Sequence, residues 1–459
     1  MAMNEILQKL TAIVGKKNVF VGDDISEEYG HDESLTVKPS LPEIVVKPQS
    51  TEEVAKILKL ANEKRIPVTP RGGGTGLSGG CVPVFGGVLL SLERMNRILE
   101  IDTENFVAVV EAGVILAELY KAVQAHGLYY PIYPGEETAT IGGNVATNAG
   151  GMRAVKYGVT RHFVLGLEAV LPTGEIIKAG GKYVKVSSGY DLTQLLVGSE
   201  GTLAVIIKVI LKLLPRPQAT TTLLVPFAKL RNGIKTVPII LKSGIVPVTI
   251  EFLEKLGFDA VENYTGKKVP LNNRVRNEAE AFLLIIVEGK NSEEAFRNAE
   301  SISEICMKHG AIDVFIPSRE KAGRELLEMR EKIYYAARDA GATDLLDIVV
   351  PRGEIPKFVE QIHEISEKHG TVITGAGHAG DGNIHLAIFE QDSLKLAKIT
   401  KEIYIVGETL GGAVSAEHGI GYIRKKYLLE MEDKNKIELI KRIKAAFDPN
   451  GILNPGKIF

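Results

Sequence analysis

Hydrophobic and polar positions along this chain switch between a helical and an extended spacing. Leu7, Leu10, Ile13 and Val14 fall at helical spacing and predict an amphipathic helix at the start. Pro42-Glu43-Ile44-Val45-Val46-Lys47-Pro48 predicts a short strand bounded by prolines. Ser50-Thr51-Glu52-Glu53 reads as a capping box. Val54, Ile57, Leu58 and Ala61 follow at i, i+3, i+4 and i+7, so a helix is expected to run to about Lys64. Residues 66–69 form a second short strand. Strands are expected over 87–92, 108–114, 164–171 and through 177, with a helix near 115–126. Residues 203–214 are a long β-branched run.

Pro215-Arg216-Pro217 ends that run and is the clearest boundary in the chain. Beyond it, strands over 220–225, 248–252, 281–288 and 311–316 alternate with charged helices, an α+β pattern. From Leu394 the pattern is mainly helical, ending in Asp448-Pro449-Asn450-Gly451 and Asn454-Pro455-Gly456. The expected division is 1–216, 217–410 and 411–459.

The 459 residues exceed one compact core, in keeping with two or three domains. Lys plus Arg is 55 and Asp plus Glu is 57, a balance that gives no support to a nucleic-acid partner. Two cysteines, Cys81 and Cys306, cannot ligate an iron–sulfur cluster alone and do not make a disulfide scaffold. The first residues are too polar for a signal peptide, and no apolar stretch approaches the ~18 residues of a membrane span. The expected location is cytoplasmic.

The glycine-dense segment Pro70-Arg71-Gly72-Gly73-Gly74-Thr75-Gly76-Leu77-Ser78-Gly79-Gly80 lets backbone N–H groups cup an anion. It follows the second strand of a β-α-β unit. An ordinary NAD site places its loop after the first strand. A second cluster, Gly142-Gly143-Asn144-Val145-Ala146-Thr147-Asn148-Ala149-Gly150-Gly151, is expected to be a second such loop. Two loops suit a long diphosphate ligand.

Gly375-Ala376-Gly377-His378-Ala379-Gly380-Asp381-Gly382-Asn383-Ile384-His385 places two histidines across a tight turn. Ser415-Ala416-Glu417-His418-Gly419 adds a carboxylate and a third imidazole. Two histidines and one carboxylate can hold a divalent metal with open positions. His418 is then free to act as a general base. Arg330 offers a planar fork for a carboxylate, although an arginine on a charged helix is usually solvated. His126, His309, His363 and His369 lie on or beside charged helices and are expected to be solvated.

With these motifs in their order, the chain resembles the FAD-linked 2-hydroxyacid dehydrogenases of the vanillyl-alcohol oxidase type, from about Asp32 to Lys457. Within that family it is most similar to D-lactate dehydrogenases and the flavin subunit of glycolate oxidase. Further motifs are Lys156-Tyr157-Gly158-Val159-Thr160-Arg161 and Gly198-Ser199-Glu200-Gly201-Thr202-Leu203. The resemblance implies an α+β fold: a two-subdomain FAD-binding domain (1–216), an α+β cap that carries the substrate (217–410), and a C-terminal helical segment (411–459) returning to the flavin.

The implied cofactor contacts begin with Pro70, Arg71, Gly72, Gly73, Gly74, Thr75, Gly76 and Ser78 at the pyrophosphate. They continue through Pro134, Gly135, Thr140, Ile141, Gly142, Gly143, Asn144, Thr147, Asn148, Gly150 and Gly151. Tyr157, Gly158, Glu200, Gly201, Ile206 and Asn454 complete them. Relatives with covalent flavin carry a histidine in the first loop. Gly74 and Thr75 stand there, so the FAD is expected to be non-covalent. The family's metal maps onto His378, His385 and Glu417, its base onto His418 and its carboxylate-binding arginine onto Arg330. The metal, zinc, manganese or iron, would bind the substrate's hydroxyl and carboxylate oxygens while hydride passes to flavin N5.

One departure bears on substrate. Dehydrogenases for 2-hydroxyglutarate have a lysine two positions before the residue matching Asp347, and Leu345 occupies that place. A monocarboxylate is therefore expected, D-lactate first and glycolate next, with Tyr334 narrowing the pocket. Electrons would leave to an electron-transfer flavoprotein, an iron–sulfur subunit or a quinone, and a homodimer is a possible assembly. The rival readings are a 2-hydroxyglutarate dehydrogenase, a non-redox alkylglycerone-phosphate synthase, a non-catalytic electron-relay subunit and a flavin-binding scaffold.

Overall fold

The computed structural model describes residues 3–317 and 320–459. Strands Ile44–Val46 and Val68–Arg71 both pair in parallel with Val88–Ser91, which lies between them. Helix Thr51–Lys64 crosses over this sheet. Val54, Ile57, Leu58 and Ala61 are buried in one cluster with Ile44, Val46, Val88 and Leu90, as the spacing predicts. Each of the valine, leucine and isoleucine side chains contributes roughly 1.5–3 kcal/mol when fully buried. The cap is half of the expected box. Ser50 Oγ accepts from the Glu53 amide at 3.2 Å, but the Glu53 carboxylate accepts from the Gln49 amide.

A second sheet of five antiparallel strands runs in the order Ile98–Asp102, Val107–Glu111, Val205–Lys212, Val164–Val170, Ile176–Gly180. Its first strand has no sequence signal because it is an edge: Leu99 and Glu100 both face solvent, so no alternation marks it. The second glycine cluster differs from expectation. Residues Ile141–Thr147 form a helix, capped by Thr140 Oγ1 on the Gly143 amide at 3.3 Å. Glycine is needed there for packing. A Cβ on Gly142 would lie 2.6 Å from Ala112 Cβ, so its absence lets the helix press on the chain after strand Val107–Glu111.

The third sheet has six antiparallel strands in the order Ala219–Phe227, Ala281–Gly289, Thr249–Glu254, Val372–His378, Asn383–Phe389, Asp344–Val349. The strand expected over 311–316 is reduced to two isolated bridges, Ala311 with Phe227 and Phe315 with Leu224. Between them the Val314 amide donates to the Asp313 side chain, a local bond that competes with a ladder. Three helices follow, Ser393–Thr409, Lys425–Met431 and Lys434–Phe447. The chain then returns to the first sheet, where Leu453 bridges Val68 in parallel. Among the described residues no helix is long and apolar enough to cross a membrane.

Candidate active site

A groove runs between the first two sheets and is lined by both glycine segments. They touch: a Cβ on Gly72 would come within 2.3 Å of Thr140 Oγ1. Arg71 folds beneath its own loop and donates to the His31 carbonyl at 2.7 Å. The buried polar atoms Asp32 Oδ2, Asn144 Nδ2 and Asn454 Oδ1 belong to lining residues and have no hydrogen-bond partner among the described residues.

The far wall is tied to the C-terminal part. Glu200, at φ +51°, accepts from the Ile420 and Gly421 amides at 2.9 and 2.7 Å. Burial raises its pKa against those two bonds. Asn454 Nδ2 donates to the Gly80 and Glu200 carbonyls at 2.9 and 2.8 Å.

Most of the expected cofactor residues line this groove. Gly135 and Gly151 border a neighbouring cavity instead. Ile141 packs into the second sheet's core. Asn148 ends its helix in the left-handed region and accepts from the Arg161 amide at 2.9 Å. The Tyr157 hydroxyl donates to Glu288, and Gly158 turns at φ +82° against His162.

The two histidines across the turn do fold back on one another. Strands Val372–His378 and Asn383–Phe389 form a hairpin in which His378 pairs with Asn383 and His385 with Ala376. His378 Nε2 and His385 Nε2 stand 3.3 Å apart, and each is 3.3 Å from Glu417 Oε1. A triangle of that side has its centre about 1.9 Å from each corner, close to the ~2.0–2.2 Å bonds of a divalent ion. His418 stacks on His385 with ring centroids 5.1 Å apart and planes 15° from parallel.

Two buried carboxylates unnamed among the expected ligands hold this set. Glu251 is fully buried, accepts from His378 Nδ1 at 2.7 Å and lies 2.8 Å from Arg330 Nη2. A carboxylate behind a ligating imidazole fixes its tautomer and orientation. Asp347 Oδ2 accepts from Ser415 Oγ and from the Ala416, Glu417 and His418 amides at 2.7–3.0 Å. Its Oδ1 accepts from Asn383 Nδ2 at 2.7 Å. Donor atoms of Asp347, His385, Glu417 and His418 lie within 4.8 Å of one another. Through these bonds Asp347 fixes the backbone that presents Glu417 and His418.

The charges follow. Burial pulls the His378 pKa down, but Glu251 and Glu417 outweigh it and hold it well above the usual imidazole value. Burial pushes Glu417 up, and the two imidazoles reverse this, leaving it well below the carboxylate range. Burial lowers His418 despite the opposing Asp347. Its imidazole is held toward the neutral, proton-accepting form.

A second cavity of about 450 Å³ opens from these residues. Arg330, on helix Glu320–Glu331, is 6 % exposed and lines it. Beyond the Glu251 ion pair at Nη2, its Nε has no acceptor among the described residues. Tyr334 and Leu345 line it too, and the Tyr334 hydroxyl donates to the Glu33 carbonyl at 2.6 Å. Among the described lining residues Arg330 is the one Lys or Arg, while Glu33, Glu136 and Glu331 are acidic. Elsewhere, His369 is not solvated as expected: its ring is 8 % exposed and meets Glu402 at 3.1 Å. Half-exposed His363 pairs with Glu254 at 2.7 Å.

Comparison with known proteins agrees with the groove. The FAD binding domain family matches residues 42–180, and the C-terminal domain of FAD linked oxidases matches 216–458. The chain belongs to the FAD-linked oxidase family. It is an FAD-linked oxidoreductase of that family. An uncharacterized FAD-linked oxidoreductase of Mycobacterium tuberculosis is 47% identical over 457 residues, covering 100% of this chain and 99% of the relative. A D-lactate dehydrogenase of Anaerostipes hadrus is 40% identical, covering 99% of this chain and 97% of that one. The crystal structure of p-cresol methylhydroxylase with substrate bound shares the fold. Its TM-score is 0.82 at 20% identity, over 99% of this chain and 96% of that one.

The groove fits the family's cofactor. Its walls at Gly72 and Gly142 leave no room for a Cβ, and its unpartnered amide and carboxylate atoms are hydrogen-bond groups without a partner among the described residues. The His378, His385 and Glu417 atoms likewise fit a divalent ion by spacing and donor type.

Proposed function

We propose that this FAD-linked oxidase converts a D-2-hydroxy monocarboxylate to the 2-oxoacid, D-lactate first and glycolate next. One convergence carries the reading: the 3.3 Å triangle of His378, His385 and Glu417 opens on the same cavity as buried Arg330 and His418. Bound FAD would supply the two-electron acceptor, and a divalent ion on the triangle would supply a Lewis acid.

The backbone from Arg71 to Ser78 would hold the FAD pyrophosphate non-covalently, and the segment 140–151, Glu200, Ile206 and Asn454 would hold the rest. Arg330, ion-paired with Glu251 through Nη2, takes the substrate carboxylate on the rest of its guanidinium fork. His418 removes the hydroxyl proton, because burial keeps its ring neutral beforehand. Glu251 orients His378 and steadies Arg330 at once. Asp347 folds the backbone that presents Glu417 and His418. Tyr334 closes the pocket beside Glu33.

The lining favours one carboxylate. Leu345 is neutral, Arg330 is the one Lys or Arg among the described lining residues, and Glu33, Glu136 and Glu331 would repel a second acid group. This disfavours D-2-hydroxyglutarate. A relay subunit has no use for a base or a carboxylate clamp. Electrons leave to a partner protein, such as an electron-transfer flavoprotein or iron–sulfur subunit, or to a quinone, since two cysteines cannot hold a cluster here.

The deciding experiment is an anaerobic visible spectrum of the flavoprotein titrated with D-lactate, glycolate, L-lactate and D-2-hydroxyglutarate. Bleaching by the D-monocarboxylate supports the reading. A flavin left oxidised by every one of these acids sinks it, and faster bleaching by D-2-hydroxyglutarate sinks the monocarboxylate assignment.

A further inference from the structure

We infer that the site also takes 2-hydroxyacids with an extended apolar side chain of about four or more carbons, of which D-lactate and glycolate are the short end. The inference rests on the 2-hydroxyacid reading and adds what lies beyond the reacting atoms.

The sheet register sets the shape of the cavity. His385 pairs with Asp347 on one side and Ala376 on the other. Two residues on, the next rung of the same face is Leu345, Ala387 and Thr374. Two more bring Phe389 and Val372. All of these but Asp347 line the cavity. Four residues separate His385 from Phe389, about 13 Å at ~3.3 Å per residue. Val372, at the far end, is 49% exposed, so this face runs from the triangle to solvent.

Two helices roof that face. Leu256 and Ala260 lie one turn apart on helix Lys255–Thr265, and Ile333 and Ala337 one turn apart on helix Ile333–Asp339. Gly257 and Ala340 add two more small residues. The helices meet where a Cβ on Gly257 would sit 3.5 Å from Ile333 Cδ1. Small residues at 257, 260, 337 and 340 leave space that larger ones would fill. The polar atom on the sheet side is already engaged, since Thr374 Oγ1 donates to Glu254.

The residues expected to hold the cofactor border only the inner end of this cavity, at Thr75, Pro134, Gly135 and Gly151. Groove and cavity share Thr75, Leu77, Pro134, Glu136, Glu417 and His418, and none of the apolar arm residues lines the groove. Lactate does not fill this space. Its three carbons span two bonds of about 1.5 Å, less than one rung. The cavity of about 450 Å³ extends beyond the reach of so short a chain. Burying an alkyl arm against apolar walls favours binding by about fourfold per methylene.

The test is single-turnover flavin reduction by D-lactate, D-2-hydroxybutanoate and D-2-hydroxyhexanoate, with calorimetric binding of pyruvate and 2-oxohexanoate to the oxidised flavoprotein. The apparent second-order rate constant should rise along the series, by on the order of 50-fold over three methylenes. The 2-oxohexanoate should bind correspondingly tighter than pyruvate. Ala337→Phe should cut the hexanoate-to-lactate ratio at least tenfold. A flat or falling series, or a ratio unmoved by Ala337→Phe, overturns the apolar arm while D-lactate still bleaches the flavin. Silence from every 2-hydroxyacid instead overturns the reading on which it rests.

Discussion

Gly150 stands so close to Glu417 that a Cβ on it would lie 2.6 Å from the carboxylate oxygen Oε2. The end of the second glycine cluster is thus also the floor of the triangle. Gly150→Ala should push Glu417 out of place and lower turnover by about 100-fold or more, since a shift near 1 Å costs that much. Metal content and kcat of the purified variant check this. Wild-type values for both would mean that Glu417 has room to move aside without consequence.

His378→Ala and Glu417→Ala should each abolish turnover and bound metal while leaving FAD in its groove. His418→Ala should keep metal and flavin and lose reduction by substrate. Flavin absorbance and elemental analysis separate the outcomes. Loss of flavin from the first two variants would show that the groove and the triangle are one folding unit.

Glu251→Gln removes the charge shared by His378 and Arg330. Metal affinity should fall by about 10–100-fold, the usual effect of losing an outer-shell carboxylate. Chelator competition measures it, and the FAD content should not change. An unchanged metal affinity would mean that the backbone alone orients His378.

Lys457 gives a pH signature of stability. Burial lowers its ammonium pKa to about 8, although Asp32 and Glu200 oppose the shift, and its Nζ donates to the Val82 carbonyl at 2.7 Å. The unfolded value lies near 10.4. Below pH 8 the group is charged in both states and its contribution is constant. Between pH 8 and about 10.4 the unfolded chain binds more protons, so folding gains as pH rises. Relative to Lys457→Met, the wild-type apoprotein should gain about 2 kcal/mol from pH 8 to pH 10 in urea unfolding. A difference independent of pH would falsify the assignment of a neutral Lys457.

Much of the fold was legible because its elements obey simple periods. Val54, Ile57, Leu58 and Ala61 mark their helix, and the apolar runs mark most of the strands. The His378–His385 turn was legible because glycine and aspartate between two apolar runs demand a hairpin. The helix at Ile141–Thr147 was not, because glycine there serves contact with Ala112, and propensity alone reads it as loop. Glu251 and Asp347 were missed as site residues because each lies in a strand that reads as core, TIEFLE and DLLDIV. A carboxylate within such a strand is itself a signal, for it must find a cation or several N–H groups once buried. The apolar arm could not be read at all. It depends on Ala260, Ala337 and Ala387 meeting across elements far apart in sequence.

Asn454 closes the groove by donating to Gly80, 374 residues earlier in the chain. At about 5–20 residues per second, a ribosome needs roughly 20–75 s to travel that distance. Throughout that interval the first glycine segment is already made but lacks its clasp. During synthesis the groove therefore stands open at one wall, and the final seal comes only with one of the later-translated stretches of the chain.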